Sequence, residues 1–341
     1  MNVLLFGATG LLGHNVLLQL LEKGHAVVAL VRNAAHFSLP DAVMHSSLLR
    51  IVESPDPRSC STFPAAPFSI INCAGTTDMS LLRYDDYLPG NVALCRHLID
   101  IAEHCDVRSI VHVSTANTIG YGDAAHPAAE DAPMLSPFDA SFYARSKREG
   151  ERLLQDYADT HPDRHVVILN PGFMVGPYDV KPSSGRLLLA AYRRPLMAAP
   201  GGGKSFVHVA DVARAAVNAL TMGRSGHRYL LAGENLRLRD FYALQALVCG
   251  YRQTFFTLPD WLTSVAGRVG DVLRLVGVKT QLSLCNVRQL QTMEYYSHDK
   301  AQRELDFHPV PIRQAIADFF LWHAHTPPSE AAGTQSSPPA K

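Results

Sequence analysis

The chain has no apolar run of the eighteen or so residues that a membrane-spanning helix takes. It also has no excess of either charge: 31 Lys and Arg balance 31 Asp and Glu, for a formal net charge of +0. A balanced chain sets up no global field to gather nucleic acid or an anionic bilayer, so neither is expected as a partner. The six cysteines, Cys60, Cys73, Cys95, Cys105, Cys249 and Cys285, include no C-x-x-C pair. This excludes a zinc ribbon, argues against a disulfide framework, and fits thiols in a reducing, cytoplasmic setting. The 16 histidines show no H-E-x-x-H or similar ligand spacing, so no metal is expected. The apolar start has no basic segment and is broken by Gly7 and Gly10, which makes it a first strand rather than a leader. No internal repeat is visible.

What the chain does have is 341 residues, 47% of them hydrophobic, enough for one large domain or two small ones. Val3–Phe6 reads as a buried strand, Gly7, Gly10 and Gly13 follow at G-x-x-G-x-x-G spacing, and an apolar helical pattern runs on to Gly24. Strand, glycine turn and helix are the setting in which backbone N–H groups cradle a pyrophosphate. The expected cradle is Gly7, Thr9, Gly10, Leu11, Leu12 and Gly13. A second strand ends at Val31, with Arg32 just beyond it. An acid at that strand end would bind a ribose 2′-hydroxyl, whereas arginine pairs with a 2′-phosphate. The expected cofactor is therefore NADP(H), with NAD(H) as the alternative.

Further strands are expected near Leu49–Val52, at Phe68–Cys73, Ser109–Ser114 and His165–Leu169. Cys73, Ala74 and Gly75 end one of them with small residues over which a dinucleotide can pass. A helix is expected over Leu81–His104, kinked or restarted at Pro89-Gly90 with Asn91 opening its second part, and a longer one over Phe138–Tyr157. The alternation predicts an α/β fold, a Rossmann-type doubly wound parallel sheet, followed by a smaller α+β C-terminal substrate lobe. The expected division is 1–175 for the dinucleotide-binding part, with 204–222 returning to it, 176–325 mainly for the lobe, and 326–341 as a disordered tail. In the lobe, strands are expected at Ser205–Val209 and His227–Leu231 and helices at Asp211–Met222, Leu238–Cys249 and Pro259–Val276.

Tyr143 and Lys147 stand four apart on the predicted helix and share a face. A phenol ionises near pH 10; a neighbouring ammonium favours the phenolate and makes it a workable acid/base. Lys147 is also placed to hold a nicotinamide ribose. Ser114 and Thr115 sit at a strand's carboxyl end, where open α/β sheets bind ligands. The Y-x-x-x-K spacing recurs at Tyr296 and Lys300, where no strand ending in Ser or Thr precedes it, so that copy is read as incidental. Thr76, Thr115 and Arg186 are the candidate substrate contacts. His208 reads as packing, Arg193-Arg194 as surface, and Tyr251, Phe255, Phe256 and Trp261 as core or pocket wall.

The motifs GATGLLG (7–13), VSTANTIG (113–120), YARSK (143–147), LNPGFMVGP (169–177) and KSFVHVADVARA (204–215) resemble the extended short-chain dehydrogenase/reductase family. GPYDVKPSSGRLLLA and YLLAGENLRLRDF are similar to its dihydroflavonol reductase-like and 3β-hydroxysteroid dehydrogenase-like branch. The resemblance implies Tyr143 as acid/base, Lys147 as its partner, Thr115 as the catalytic hydroxyl with Ser114 as the fallback, and Asn91 as the supporting asparagine. It places Pro171, Gly172, Phe173 and Met174 beside the nicotinamide. It also implies a homodimer through the helices holding Leu94 and Tyr143. The chain departs from the pattern at Pro89-Gly90, before Asn91, and near the third strand, where Glu53 or Asp56 replaces the usual acid. The implied activity is hydride transfer to or from a small carbonyl or secondary-alcohol substrate. The alternatives are a nucleotide-sugar epimerase or dehydratase with tightly held NAD, and a non-catalytic NADP(H) sensor.

Overall fold

A computed structural model describes residues 1–34, 37, 39, 41–56, 62–180 and 184–325; the expected tail at 326–341 lies outside them. Strand β1 (Asn2–Phe6) is buried from Val3 onward and feeds through the glycine turn into α1 (Leu11–Glu22). Leu12, Val16, Leu17 and Leu20 form the buried stripe of α1 that faces the sheet. The chain continues through β2 (Ala26–Val31), the short α2 (Asp41–Met44), β3 (Leu49–Glu53) and β4 (Phe68–Asn72). Then come α3 (Leu94–His104), β5 (Val107–Val113), α4 (Phe142–Thr160) and β6 (His165–Pro171).

Beyond β6 the chain leaves the sheet through β7 (Phe173–Val175), α5 (Gly185–Ala191), β8 (Leu196–Ala199) and β9 (Gly203–His208). Helix α6 (Val209–Asn218) then packs on α1, and β10 (Arg228–Leu231) returns to pair with β6. The main sheet is fully parallel, with seven strands in the order β10-β6-β5-β4-β1-β2-β3. Helices cover both faces: α1 and α6 one, α3 and α4 the other. This is the Rossmann-type doubly wound arrangement, and the order reverses at β1 and β4, where ligands bind.

The remaining elements are β11 (Glu234–Arg237), α7 (Leu238–Val248), β12 (Thr254–Thr257), α8 (Asp260–Leu275), α9 (Leu284–Gln291), β13 (Met293–Glu294), α10 (Asp299–Leu305) and α11 (Ile312–His325). Strand β9 is the centre of a second sheet with β7, β11 and β13. This lobe has its own core, in which the Phe206 and Phe241 rings stack at 3.9 Å against α11. Apart from β9, the strands of this sheet are two to four residues long, too short to show a period in sequence. Among the described residues no helix is long and apolar enough to cross a membrane.

Two helix expectations are corrected. Residues 81–83 are not helical; Tyr84–Asp86 form a single 3₁₀ turn, and Pro89–Ala93 wind one π turn that runs directly into α3. Proline in a first turn lacks only an N–H that would have no partner there, so of the two expected outcomes at Pro89-Gly90 the helix restarts and is not kinked. The long helix begins at Phe142, not Phe138, because Ser141 caps it by accepting the Ala144 N–H.

Helix α1 sits so close to the turn that a Cβ at Gly13 would lie 2.0 Å from the Gly7 carbonyl oxygen. Gly13→Ala is expected to cost about 1–3 kcal/mol by overpacking against backbone that cannot yield. Urea unfolding checks this; an unchanged midpoint would mean the helix is free to move outward.

Candidate active site

Two cavities meet along the carboxyl ends of the main-sheet strands. The first, of about 530 Å³, is lined by Gly7, Thr9, Gly10, Arg32, Asp56, Cys73, Ala74, Gly75 and Thr76 among others. Gly7 holds a φ of 81°, and a Cβ there would lie 2.6 Å from the Ala74 nitrogen, so only glycine keeps β1 and β4 in register at this crossing. A glycine floor, the N-terminus of α1 and an exposed Arg32 at one side fit an extended, phosphate-bearing ligand. Of the two acids near the third strand, Asp56 lines the cleft, whereas the Glu53 carboxylate accepts the Ala34 N–H at 3.0 Å.

The expected cofactor residues divide by what they present. Leu11 and Leu12 turn their side chains into the core beneath α1, so they can offer a ligand only their backbone N–H groups. The resemblance put Pro171 and Met174 beside the nicotinamide. Pro171 is instead buried at the end of β6, and Met174 packs against the α1–α6 core. Neither lines the two cavities; Gly172 and Phe173 line the second.

That second cavity, of about 560 Å³, has Thr115 and Tyr143 in its wall. The Thr115 hydroxyl lies near the Tyr143 phenol and favours its ionised form. Burial pushes the phenol above its ordinary value, the Thr115 hydroxyl opposes this, and the Glu151 carboxylate adds to the rise. Lys147 is fully enclosed, and its ammonium donates to the Val113 carbonyl at 2.8 Å. Burial lowers its pKa, opposed by Cys95, Glu151 and Cys73. The expected direct lowering of the phenol by the ammonium is therefore not what sets Tyr143. Lys147 lies against Gly75, where a Cβ would stand 3.2 Å from its Nζ, on the side of the glycine-floored cleft.

Asn91 sits in the π turn, buried, at a junction of these parts. Its Oδ1 accepts the Thr76 N–H at 2.8 Å, and its Nδ2 donates to the Thr76 carbonyl at 3.1 Å and to Ser146 Oγ at 2.9 Å. It thereby ties the loop after β4 to the Tyr143 helix. The local widening of a π turn aims one side chain out of helical register, which is how such turns serve sites.

Sequence reasoning missed Glu151. Its carboxylate is entirely buried. Oε1 accepts from Ser114 Oγ at 2.5 Å, Thr118 Oγ1 at 2.6 Å and Asn170 Nδ2 at 2.7 Å, and Oε2 from Arg148 at 2.9 Å. The Ser114 hydroxyl is spent on this carboxylate, which corrects its role as fallback catalytic group and leaves Thr115 facing Tyr143. The available signal was Glu151 four residues after Lys147, on the same helix face.

Tyr296, read from sequence as incidental, lines the second cavity, while Lys300 turns away to donate to the Arg228 carbonyl at 2.7 Å. Tyr296 lies outside any helix, so four-residue spacing does not bring the two side chains together. Arg186 is exposed and does not line the cavity; with the Gln281 amide turned to present its oxygen, it donates to that rim residue at 3.0 and 3.2 Å. Thr76 lines the first cavity, not the second. Arg193 and Arg194 are exposed and line neither cavity. His208 caps α6 by accepting the Ala210 N–H and pairs with Asp318 at 2.9 Å. Tyr251 and Phe255 are half-buried in the lobe, whereas Phe256 and Trp261 are exposed.

Comparison with known proteins agrees with this geometry. Residues 3–232 match the model of the NAD dependent epimerase/dehydratase family. The chain is 27% identical over 325 residues to a putative dihydroflavonol 4-reductase of Synechocystis sp., covering 93% of this chain and 92% of that protein. It is 26% identical over 327 residues to sterol demethylase protein B of Methylococcus capsulatus, covering 94% and 98%. The crystal structure of gox2253 superposes with a TM-score of 0.73 at 26% identity, covering 94% of this chain and 97% of that one. With the family model matching two-thirds of its length and a dinucleotide cleft at the reversal of its strand order, the chain belongs to the NAD dependent epimerase/dehydratase family.

Proposed function

We propose that this protein is an NADP(H)-preferring reductase or dehydrogenase acting on the carbonyl or secondary alcohol of a small, largely apolar molecule. The observation that carries the reading is that Thr115 and Tyr143 stand together in the wall of the second cavity. Gly7, Thr9, Gly10, Cys73, Ala74 and Gly75 would hold the dinucleotide, Lys147 its nicotinamide ribose, and Arg32 a 2′-phosphate. The chemistry a bound nicotinamide supplies is two-electron reduction or oxidation of a carbon centre.

The protein's own groups handle the proton and the orientation. The Thr115 hydroxyl and the Tyr143 phenol both donate to a substrate oxygen, and the phenol gives up its proton as that oxygen becomes an alcohol. In the reverse direction the phenolate takes the proton back. Asn91 holds the loop after β4 against the Tyr143 helix, so the two walls keep their spacing.

The second cavity also supports the substrate class. Met79, Phe173, Leu282, Val287 and Leu290 line it, and its one cation among the described residues, Lys204, is paired with the buried Glu294 carboxylate. A nucleotide-sugar diphosphate calls for uncommitted cations, and Arg186 does not line the cavity. This favours the reductase reading over the epimerase one.

Tyr143→Phe is expected to cut turnover by about 10²–10⁴-fold while NADPH affinity stays unchanged; undiminished turnover in steady-state assays would end the assignment. Arg32→Ser should weaken NADPH by roughly tenfold to a hundredfold, the worth of a charge-assisted contact, and leave NADH unaltered in fluorescence titrations. Equal losses for both cofactors would remove the 2′-phosphate role. Because burial raises the Tyr143 pKa, the phenol is protonated at neutral pH. Carbonyl reduction, which needs the proton, should be flat across neutrality and fall only as pH rises through the phenol's pKa. Alcohol oxidation, which needs the phenolate, should climb over that same alkaline range. A reduction rate that declines across neutral pH contradicts the assignment.

A further inference from the structure

Helix α8 is amphipathic in the reverse of the usual sense. Its large apolar residues Trp261, Val265, Val269, Val272 and Val276 recur at helical spacing on one face, and all are exposed, Trp261 by 69% and Val276 by 72%. The face turned inward is small and polar. Gly267 and Gly270 are buried against the chain at Leu282–Leu284, where a Cβ on Gly270 would lie 2.1 Å from the Leu282 carbonyl oxygen. Arg274 donates inward to the Met79, Leu81 and Thr280 carbonyls, and Asp271 accepts the Leu284 N–H. Thr263 accepts from Gln291 at 2.6 Å. An ordinary surface helix buries its apolar stripe; this one is anchored through glycines and satisfied polar groups and displays its apolar residues.

The exposure is concentrated, not scattered. Of the 17 large apolar residues exposed among the described residues, 10 lie between Trp261 and Leu282, a contiguous patch of the kind that marks an interaction surface. Two observations select its occupant. First, the patch is continuous with the second cavity: Leu282 is 39% exposed and also lines that cavity. Second, the exposed charges from Arg252 to Leu282 are Arg252, Arg268 and Lys279 against Asp260 alone. A second copy of the same patch would bring like charges together, whereas an anionic headgroup layer neutralises them.

We propose that α8 docks this protein on an anionic lipid surface, its Trp261–Val276 face in the headgroup–acyl boundary and the cavity mouth beside it. A helix of this length, about 24 Å, lies in the interface plane without spanning it, with tryptophan at the boundary and basic residues toward the headgroups. The expectation of no membrane partner rested on zero net charge and the absence of a spanning run. Neither addresses a helix that lies flat. The docking does not depend on the oxidoreductase reading.

Flotation of the full chain with vesicles tests it, using phosphatidylcholine mixed with phosphatidylglycerol and phosphatidylcholine alone. The protein is expected to float with the mixed vesicles and less with the neutral ones. In a Trp322→Phe background, which leaves Trp261 as the only tryptophan, emission should shift to the blue on binding. V269D/V272D, both at exposed positions, should lower partitioning by at least about tenfold, with melting temperature and NADPH binding unchanged. R268E/K279E should abolish the preference for anionic vesicles. Failure of the native chain to float, or equal flotation of V269D/V272D, overturns the proposal. So does sedimentation showing a native dimer that V269D/V272D disrupts without any vesicle binding, since a second copy would then be the occupant.

Discussion

One buried carboxylate holds the reactive end of this molecule together. An ionised side chain removed from water costs several kcal/mol unless partners replace its hydration. Glu151 meets that demand with two hydroxyls, an amide and a guanidinium. The partners come from the carboxyl end of β5, the turn after it, the end of β6 and the Tyr143 helix itself. Satisfying one charge therefore fixes how that helix sits on the strand tips. It also commits the Ser114 hydroxyl and leaves its neighbour Thr115 to face the phenol. Burial raises the Tyr143 pKa and lowers that of Lys147, and the same carboxylate adds to the first shift and opposes the second.

Around that centre, the two sheets divide the work. The parallel sheet supplies the glycine-floored cleft where its strand order reverses, a consequence of topology that any doubly wound fold shares. The second sheet, centred on β9, closes the other cavity with Lys204 and Ser205 from β9 and Glu294 at the end of β13. Because β7 follows directly from β6 and pairs with β9, the lobe is joined to the main sheet through Gly172, where a Cβ would lie 2.5 Å from the Ser205 carbonyl oxygen. Thr115 and Tyr143 lie where these two units meet.

Much of this was legible in order along the chain. The first strand, glycine turn and helix need only contacts within a dozen residues, and their pattern shows in the sequence because each residue's neighbours there are also its neighbours in space. The alternation of strand and helix up to β6 was readable for the same reason, as was the shared face of Tyr143 and Lys147. Pro89-Gly90 left a kink and a restart both open in the sequence, because proline's effect depends on whether it opens a helix or interrupts one. Of the lobe's second sheet, only β9 was legible; β7, β11 and β13, of two to four residues, show no period.

The sequence by itself determined the fold class, the glycine turn after the first strand and the shared helix face of Tyr143 and Lys147, because local backbone preference and side-chain periodicity fix each of these. Tertiary structure alone decided that Thr115 and not Ser114 meets the phenol, since a carboxylate 37 residues away claims the serine. It decided that Tyr296 walls a cavity while Lys300 turns aside, and that α8 shows its apolar face outward. Each of those outcomes depends on what a distant segment presents, and the pattern of a single element carries no record of its partners.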